Sequence, residues 1–327
     1  MKIIMTMNVA YSFMDNYAQH AGLSILSLLE NNKDIDQINV YVIDNNILEI
    51  NRSRLREITD RYNRNIVFIK LDDISHSMDV STNFCRSTYG KLFLAQIEDV
   101  DIMLVFDCDT IVTGSLRDLL IFNMADTLIA GVQDTVNPYF VRKIGLTNTD
   151  RYINCGGVIV LNLKLWREMG IEKRCIDYVL CYGGNPPFVD QGTINHVCYG
   201  YTKALPPGYN VINPMFMFSV EKLRRIFKMK VYYSQTEIDD AKIHPKVVHF
   251  TGELYNRPWF TNCDHPLMHY YRDFLSISSW KSNSLVYKKM SLNCRIQKWI
   301  YDSMPFPVYL LMIRFIEVRH RLTKRIM

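Results

Sequence analysis

Between Met7 and Leu71, apolar positions alternate between two periods. Met7 to Phe13 and the β-branched run Ile38 to Ile43 read as strands, as does Ile66 to Leu71. Between them, Ala21, Ile25, Leu28 and Leu29 repeat at helical spacing within Ala18 to Leu29, and a charged helical stretch covers Glu49 to Tyr62. A further helix is expected over Tyr89 to Gln96, followed by the continuous apolar run Ile102 to Phe106. Strands separated by helices of this length predict parallel βαβ units, an α/β fold whose ligands sit at the carboxyl ends of the strands. Beyond Ala130 the pattern predicts a buried strand at Val158 to Leu163, one helix from Leu165 to Tyr182, and a short strand over Val247 to Phe250. From Val308 onward, apolar residues return at Val308, Leu311, Phe315, Val318, Leu322 and Ile326, while Arg314, Glu317, Arg321 and Lys324 follow the same spacing on another face. That is an amphipathic helix, introduced by Pro305 and Pro307.

Composition narrows the class. With 48% hydrophobic and 22% charged residues, 16 Phe, 20 Tyr and no long low-complexity run, the chain is neither disordered nor fibrous. No apolar run approaches the roughly 18–20 residues of a bilayer helix, and Met1 to Asn8 shows no signal-peptide pattern. The eight cysteines form no CxxC pair, which argues for a reduced intracellular chain and against a zinc or disulfide scaffold. Charge is unevenly placed. Lys281 to Met327 carries ten basic residues against Asp302 and Glu317, a net +8; the whole chain is +5, so residues 1–280 sum to −3. The composition changes near Trp280, giving a body at 1–280 and a basic segment at 281–327 with Trp299, Tyr301, Phe306 and Tyr309 suited to a membrane interface.

The sharpest chemical feature is Asp107-Cys108-Asp109 at the exit of the run Ile102 to Phe106. Residues i and i+2 of a strand project to one side, so the two carboxylates face one spot, where a divalent cation relieves their repulsion. His249, closing the strand Lys246 to Val248, supplies an imidazole for an O,O,N ligand set. Such a set leans toward Mn²⁺, with Mg²⁺ also possible and zinc or iron still open.

Seven segments in order give this reading a family. The chain resembles the family 8 glycosyltransferases of the bacterial lipopolysaccharide galactosyltransferase and glucosyltransferase type. The resemblance runs through Met7 to Tyr17 (MNVAYSFMDNY), Arg86 to Leu92 (RSTYGKL), Phe106 to Val112 (FDCDTIV) and Asn154 to Trp166 (NCGGVIVLNLKLW), then Asp190 to Asn195 (DQGTIN), Leu205 to Asn210 (LPPGYN) and His249 to Trp259 (HFTGELYNRPW). It implies a GT-A fold, a Rossmann-like mixed sheet flanked by helices. It also implies a UDP-sugar donor, a Mn²⁺ ion, retention at the transferred sugar and a glycan or glycolipid acceptor, with no nucleic-acid partner. By the same resemblance, Asp107, Asp109 and His249 hold the metal, Asp107 also contacting the donor. Ser12, Asn16 and Tyr17 surround the uridine, and Lys91 stands over the donor. Asn154, Asp190 and Gln191 surround the transferred sugar, the last two as catalytic candidates, and Gly252 and Arg257 close over the pyrophosphate. Met14 replaces an acid usual in similar sequences, Gly192 replaces another, and the loop from Gly252 to Arg257 is two residues longer. The expected location is the inner face of a bacterial membrane, with the enzyme cytoplasmic and held there peripherally by its tail. Two other readings compete. A haloacid-dehalogenase-type phosphatase would share Asp107 to Thr110, but its motif belongs on the first strand of its domain. A sugar-nucleotide-binding protein with decayed catalysis has only Met14 and Gly192 in its favour.

Overall fold

The computed structural model describes residues 4–78, 81–147, 152–252 and 254–323, with the backbone alone for 320–323. Ten strands are present among them: β1 (Thr6–Met14), β2 (Gln37–Asn45), β3 (Asn65–Lys70), β4 (Ile102–Phe106), β5 (Thr110–Val112), β6 (Ile129–Val132), β7 (Val158–Asn162), β8 (Thr202–Leu205), β9 (Val211–Ile212) and β10 (Val247–His249). Seven of them make the central sheet, ordered β3-β2-β1-β4-β7-β6-β8. β7 alone runs antiparallel to its neighbours there. The strands expected up to Phe106 are all present, each close to its expected ends. Strand β7 is buried along its whole length, which is why it reads as an uninterrupted apolar run.

The sheet order reverses between β1 and β4, which pair in parallel with Tyr11 opposite Phe106 and their rings stacked at 5.5 Å. A crevice opens at the carboxyl ends of these two strands, the usual ligand position in open α/β sheets. The second sheet, β5-β10-β9, stands beside it. Antiparallel pairing sets His249 of β10 opposite Thr110 of β5, and the Phe250 N–H donates to the Asp109 carbonyl at 3.0 Å. The imidazole is thereby brought to the end of β4 from a distant part of the chain.

Two helices differ from the sequence pattern. Arg86–Gln96 is a 3-10 helix, with Ser87 and Tyr89 to Ala95 buried, so no amphipathic period marks it. Its three-residue turn places Cys85, Thr88 and Lys91 on one side, and all three line the crevice. The single helix expected from Leu165 to Tyr182 is two, Leu163–Glu168 and Ile171–Cys181, separated at Gly170 with φ +61°.

The composition boundary is a packed junction. Trp280 is 2% exposed and lies against Gly22 of the helix Ala18–Asn31, while its indole N–H donates to Asn51 Oδ1 at 3.3 Å. Helices Leu292–Ser303 and Phe306–Thr323 follow. Tyr301, Tyr309 and Ile313 pack on Met217, Ile226 and Leu254 of the body. The orientation of the last helix is unexpected. Arg314 faces inward, bonding the Ile226 carbonyl at 3.0 Å and Glu317 at 2.9 Å, and Glu317 also pairs with Lys228 and Asn137 at 2.9 Å. The apolar stripe faces outward instead: Leu311 and Phe315 are each 70% exposed, with Val308 and Val318 beside them. The side chains of Arg321 and Leu322, and residues Lys324 and Ile326, lie outside the described residues. No helix among the described residues is long and apolar enough to cross a membrane.

Candidate active site

Strand β4 ends at Phe106, and the next residue turns into the crevice, its backbone N–H held by the Gly157 carbonyl at 3.0 Å. Asp107, Asp109 and His249 meet there, each offering a ligand atom, all within 4.8 Å of one another. His249 is buried, with Nε2 3.2 Å from Asp109 Oδ1 and Nδ1 3.2 Å from Asn210 Oδ1. An amide oxygen only accepts, so Nδ1 carries a proton; Nε2 faces the Asp109 carboxylate, and loss of its proton would leave a lone pair there for a cation. Asn210 is itself fixed by donating to the Gly156 carbonyl at 2.7 Å. The glycine pair makes room for this arrangement. A Cβ on Gly157, whose φ is +77°, would lie 2.1 Å from Asn210 Oδ1, and one on Gly156 would lie 2.7 Å from His249 Cε1. Two carboxylates and one oriented imidazole suit a divalent cation.

Two cations of the protein flank these ligands. Lys91, buried, places its ammonium 2.8 Å from Asp190 Oδ2, 3.2 Å from Asp107 Oδ1 and 3.0 Å from the Cys155 carbonyl. Arg257 reaches Asp109 Oδ2 at 2.7 Å and lies over the Trp259 ring. Burial opposes ionisation of Asp109, but His249 and Arg257 outweigh it and hold the carboxyl down to about 2. Burial likewise opposes charge on His249, and Asp109 outweighs it, raising the imidazole above its ordinary value.

The crevice is a cavity of about 320 Å³, and Ser12, Tyr17, Lys91, Asp107, Asp109, Asp190 and Arg257 line it together with Met14, Phe84 and Cys85. Of the remaining expected residues, Asn16 is exposed and outside the lining. Gly252 lies against the Arg257 side chain. Asn154 and Gln191 meet at a residue that sequence reasoning missed, Asp134, which accepts from Asn154 Nδ2 at 3.1 Å and from Gln191 Nε2 at 2.7 Å. Gln191 Oε1 accepts from the Cys155 N–H at 3.0 Å, so both ends of this amide are held. Asp134 follows β6 by two residues as Asp107 follows β4 by one, and that position at the sheet's carboxyl edge was the available signal. Asn210 was visible only as part of its motif. Asp15, next to Met14, accepts from the Leu48 N–H and from Asn51, and so serves the loop.

Gly192 has a steric explanation. Phe188 and Val189 both have positive φ, +60° and +54°, in the turn that presents Asp190 and Gln191, and a Cβ on Gly192 would lie 1.9 Å from the Pro187 carbonyl oxygen. Gly192→Ala is expected to destabilise the protein by roughly 1–3 kcal/mol, as overpacking does, and to displace Asp190 and Gln191. Urea unfolding checks the first effect; a midpoint equal to that of the unsubstituted protein would refute the steric account.

Comparison with known proteins agrees with this geometry. The sequence profile of Glycosyl transferase family 8 matches residues 8–263. General stress protein A of Bacillus subtilis (strain 168) is 26% identical over 275 residues, covering 82% of this chain and 92% of that protein. Lipopolysaccharide 1,2-glucosyltransferase of Escherichia coli (strain K12) is 24% identical over 285 residues, covering 85% and 80% respectively. Among solved structures, the galactosyltransferase LgtC in complex with donor and acceptor sugar analogs shares the fold with a TM-score of 0.67 at 22% identity, over 88% of this chain and 99% of LgtC. A sheet parallel except at β7, with an Asp-x-Asp turn at the exit of β4, is the GT-A arrangement, and the chain belongs to glycosyl transferase family 8.

Proposed function

We propose that this enzyme is a retaining, metal-dependent hexosyltransferase that moves galactose or glucose from a UDP-sugar to a glycan of the lipopolysaccharide or surface-polysaccharide type. The observation that carries the reading is the convergence of Asp107, Asp109 and His249 at one mouth of the crevice in a family 8 chain. These three residues would hold Mn²⁺, with Mg²⁺ as a substitute. A cation held by them would supply positive charge against the negative charge gathering on the departing diphosphate. Arg257 and Lys91 flank the same place, and release of Arg257 from Asp109 would free its guanidinium for phosphate. Ser12 and Tyr17 would line the uridine end.

Retention is what the family resemblance implies, and the side chains expected near the sugar bear on how it would be achieved. The Gln191 amide is bound at both ends, and the Asp190 carboxylate is paired with Lys91, so neither is free as a nucleophile. The acceptor hydroxyl would then attack from the leaving group's own face. Its oxygen bonds the anomeric carbon as the bond from that carbon to the phosphate oxygen breaks, and its proton passes to that phosphate oxygen. Asp134 positions Gln191 and Asn154 beside the sugar. Incubation with a panel of UDP-hexoses and Mn²⁺ tests the reading: metal-dependent release of UDP from one of them is expected, and failure to bind UDP in the presence of metal overturns it.

We further propose that residues 281–327 rest on the anionic inner face of a bacterial membrane. The basic excess of this segment supports this, as does the outward turn of Leu311 and Phe315. Inserting a side chain of this size is worth roughly 1.5–3 kcal/mol. Leu311→Gln with Phe315→Gln should therefore weaken co-sedimentation with anionic vesicles at least about tenfold and leave UDP release unchanged. Equal pelleting of both proteins would exclude this face as the anchor.

A further inference from the structure

A second cavity, of about 510 Å³, lies between the C-terminal helices and the body. Its volume falls within the ordinary range of small-molecule sites. Met217, Phe218, Ile226, Phe227, Leu254 and Ile313 give it a largely apolar wall. The amide, carboxylate and phenol side chains on that wall already have partners. Asn137 donates to Glu317 at 2.9 Å and accepts from the Tyr139 N–H, Glu317 also pairs with Arg314 and Lys228, and Gln297 donates to the Tyr309 hydroxyl at 3.2 Å. With these groups engaged and the rest of the described wall apolar apart from the Cys294 thiol, the cavity suits an apolar ligand.

Two neighbours say where such a ligand comes from and what it serves. Ile316 belongs to the cavity wall and is 47% exposed, so the cavity is continuous with the outward apolar face of the helix Phe306–Thr323. Phe140 also belongs to the wall, and its ring meets that of Phe188 edge-on at 5.4 Å, two residues before Asp190. One aromatic contact thus separates the cavity from the turn that presents Asp190 and Gln191. Lys222 and Arg225 lie over the Phe306 ring at 5.3 and 5.1 Å, setting cations beside the start of the same helix.

We infer that this cavity receives an acyl chain of a glycolipid acceptor, holding the lipid end of the acceptor beside the catalytic turn. The inference rests on the transferase reading above and adds to it that the accepting sugar lies close to its lipid. Binding of cis-parinaric acid, followed by its fluorescence below micellar concentrations, tests it without turnover. One molecule per chain is expected to bind. Ile313→Trp or Met217→Trp, each filling the cavity, should weaken binding at least tenfold, whereas Leu311→Gln with Phe315→Gln on the outer face should change it less than threefold. In transfer assays, dodecyl glycosides should show a KM at least tenfold below that of the matching methyl glycosides, and either cavity-filling variant should remove that difference. Two such variants guard against a misfolded one, which circular dichroism identifies. Absence of probe binding, or binding lost only in the outer-face variant, overturns the inference. Metal-dependent UDP release separates the two claims, since its persistence in that event leaves the transferase reading standing, and its absence removes both.

Discussion

Asp109→Ala is expected to reduce metal-dependent release of UDP from the donor by about a thousandfold. A cation at the leaving group supplies several kcal/mol of charge stabilisation. Each step of about 1.4 kcal/mol is a factor of ten in rate. Fold should largely survive. The Arg257 side chain is 28% exposed and can turn to water once its partner is gone, and His249 keeps its bond to Asn210. The charge balance moves in a defined direction. His249 is raised above its ordinary value because Asp109 outweighs its burial, so in the variant its pKa falls, measurable from the imidazole proton resonance. A raised imidazole stabilises the metal-free fold below its unfolded value near 6.5 and loses this as pH rises through the folded value. Asp109, lowered to about 2, stabilises above its unfolded value near 3.9, and this is lost only as pH falls through about 2. The variant therefore loses the attraction between Asp109 and protonated His249, and with it the Arg257 pairing, between about pH 4 and 6.5, where its stability deficit should be largest. Because a protonated Nε2 cannot bind a cation, metal affinity of the unsubstituted protein should climb as His249 deprotonates. Asn210→Ala should lower that affinity by about 10–100-fold, as removal of partners behind a metal ligand does. Turnover of Asp109→Ala within tenfold of the unsubstituted protein would remove this residue from the metal site.

Much of this site was legible because strand exits have a local signature. Asp107 and Asp109 follow an apolar run, and His249 closes a short β-branched one, so type and place can be read along the chain. Asp134 has the same placement after β6, but one carboxylate after a strand has many uses, and its role depends on Asn154 and Gln191, 20 and 57 residues further on. Asn210 acts through His249 because β9 and β10 pair in parallel, Val248 opposite Val211 and His249 opposite Ile212, which brings the residue before β9 within reach of the imidazole. The C-terminal helix shows a different limit. Periodicity correctly groups Val308, Leu311, Phe315 and Val318, and it separates them from Arg314 and Glu317. Which face meets the body is decided by the body, where the Ile226 carbonyl, Lys228 and Asn137 offer Arg314 and Glu317 better partners than water and leave the apolar stripe outside. The 3-10 helix Arg86–Gln96 is buried nearly all round, so its sequence holds no contrast between faces from which a period could be read.

Lys91→Met is expected to destabilise the protein by about 3–5 kcal/mol, the range for removing one partner of a buried ion pair, and to reduce donor turnover as well. The ammonium has three donors, and Asp190, Asp107 and the Cys155 carbonyl use all of them. Burial opposes its charge, but Asp107 and Asp190 outweigh burial and raise its pKa. A raised lysine stabilises fully below its unfolded value near 10.4 and loses this only as pH rises through the folded value. The contribution is therefore constant across the physiological range, and the deficit of Lys91→Met should be flat from pH 6 to 9. Asp107 and Asp190 share it, Asp190 being the nearer at 2.8 Å and Asp107, at 3.2 Å, opening into the crevice. Metal binding should respond in the opposite sense to stability. With Lys91 absent, Asp107 and Asp109 carry less compensated charge, so the substituted protein should bind Mn²⁺ at least as tightly while turning over the donor more slowly. A residue acting only as a phosphate ligand would leave the unfolding midpoint and the affinity for free Mn²⁺ unmoved. Urea titration with paramagnetic detection of bound Mn²⁺ decides between the two roles. An unfolding free energy within about 0.5 kcal/mol of the original, the ordinary range for substitutions without buried partners, would show that Lys91 does not hold the two carboxylates in place.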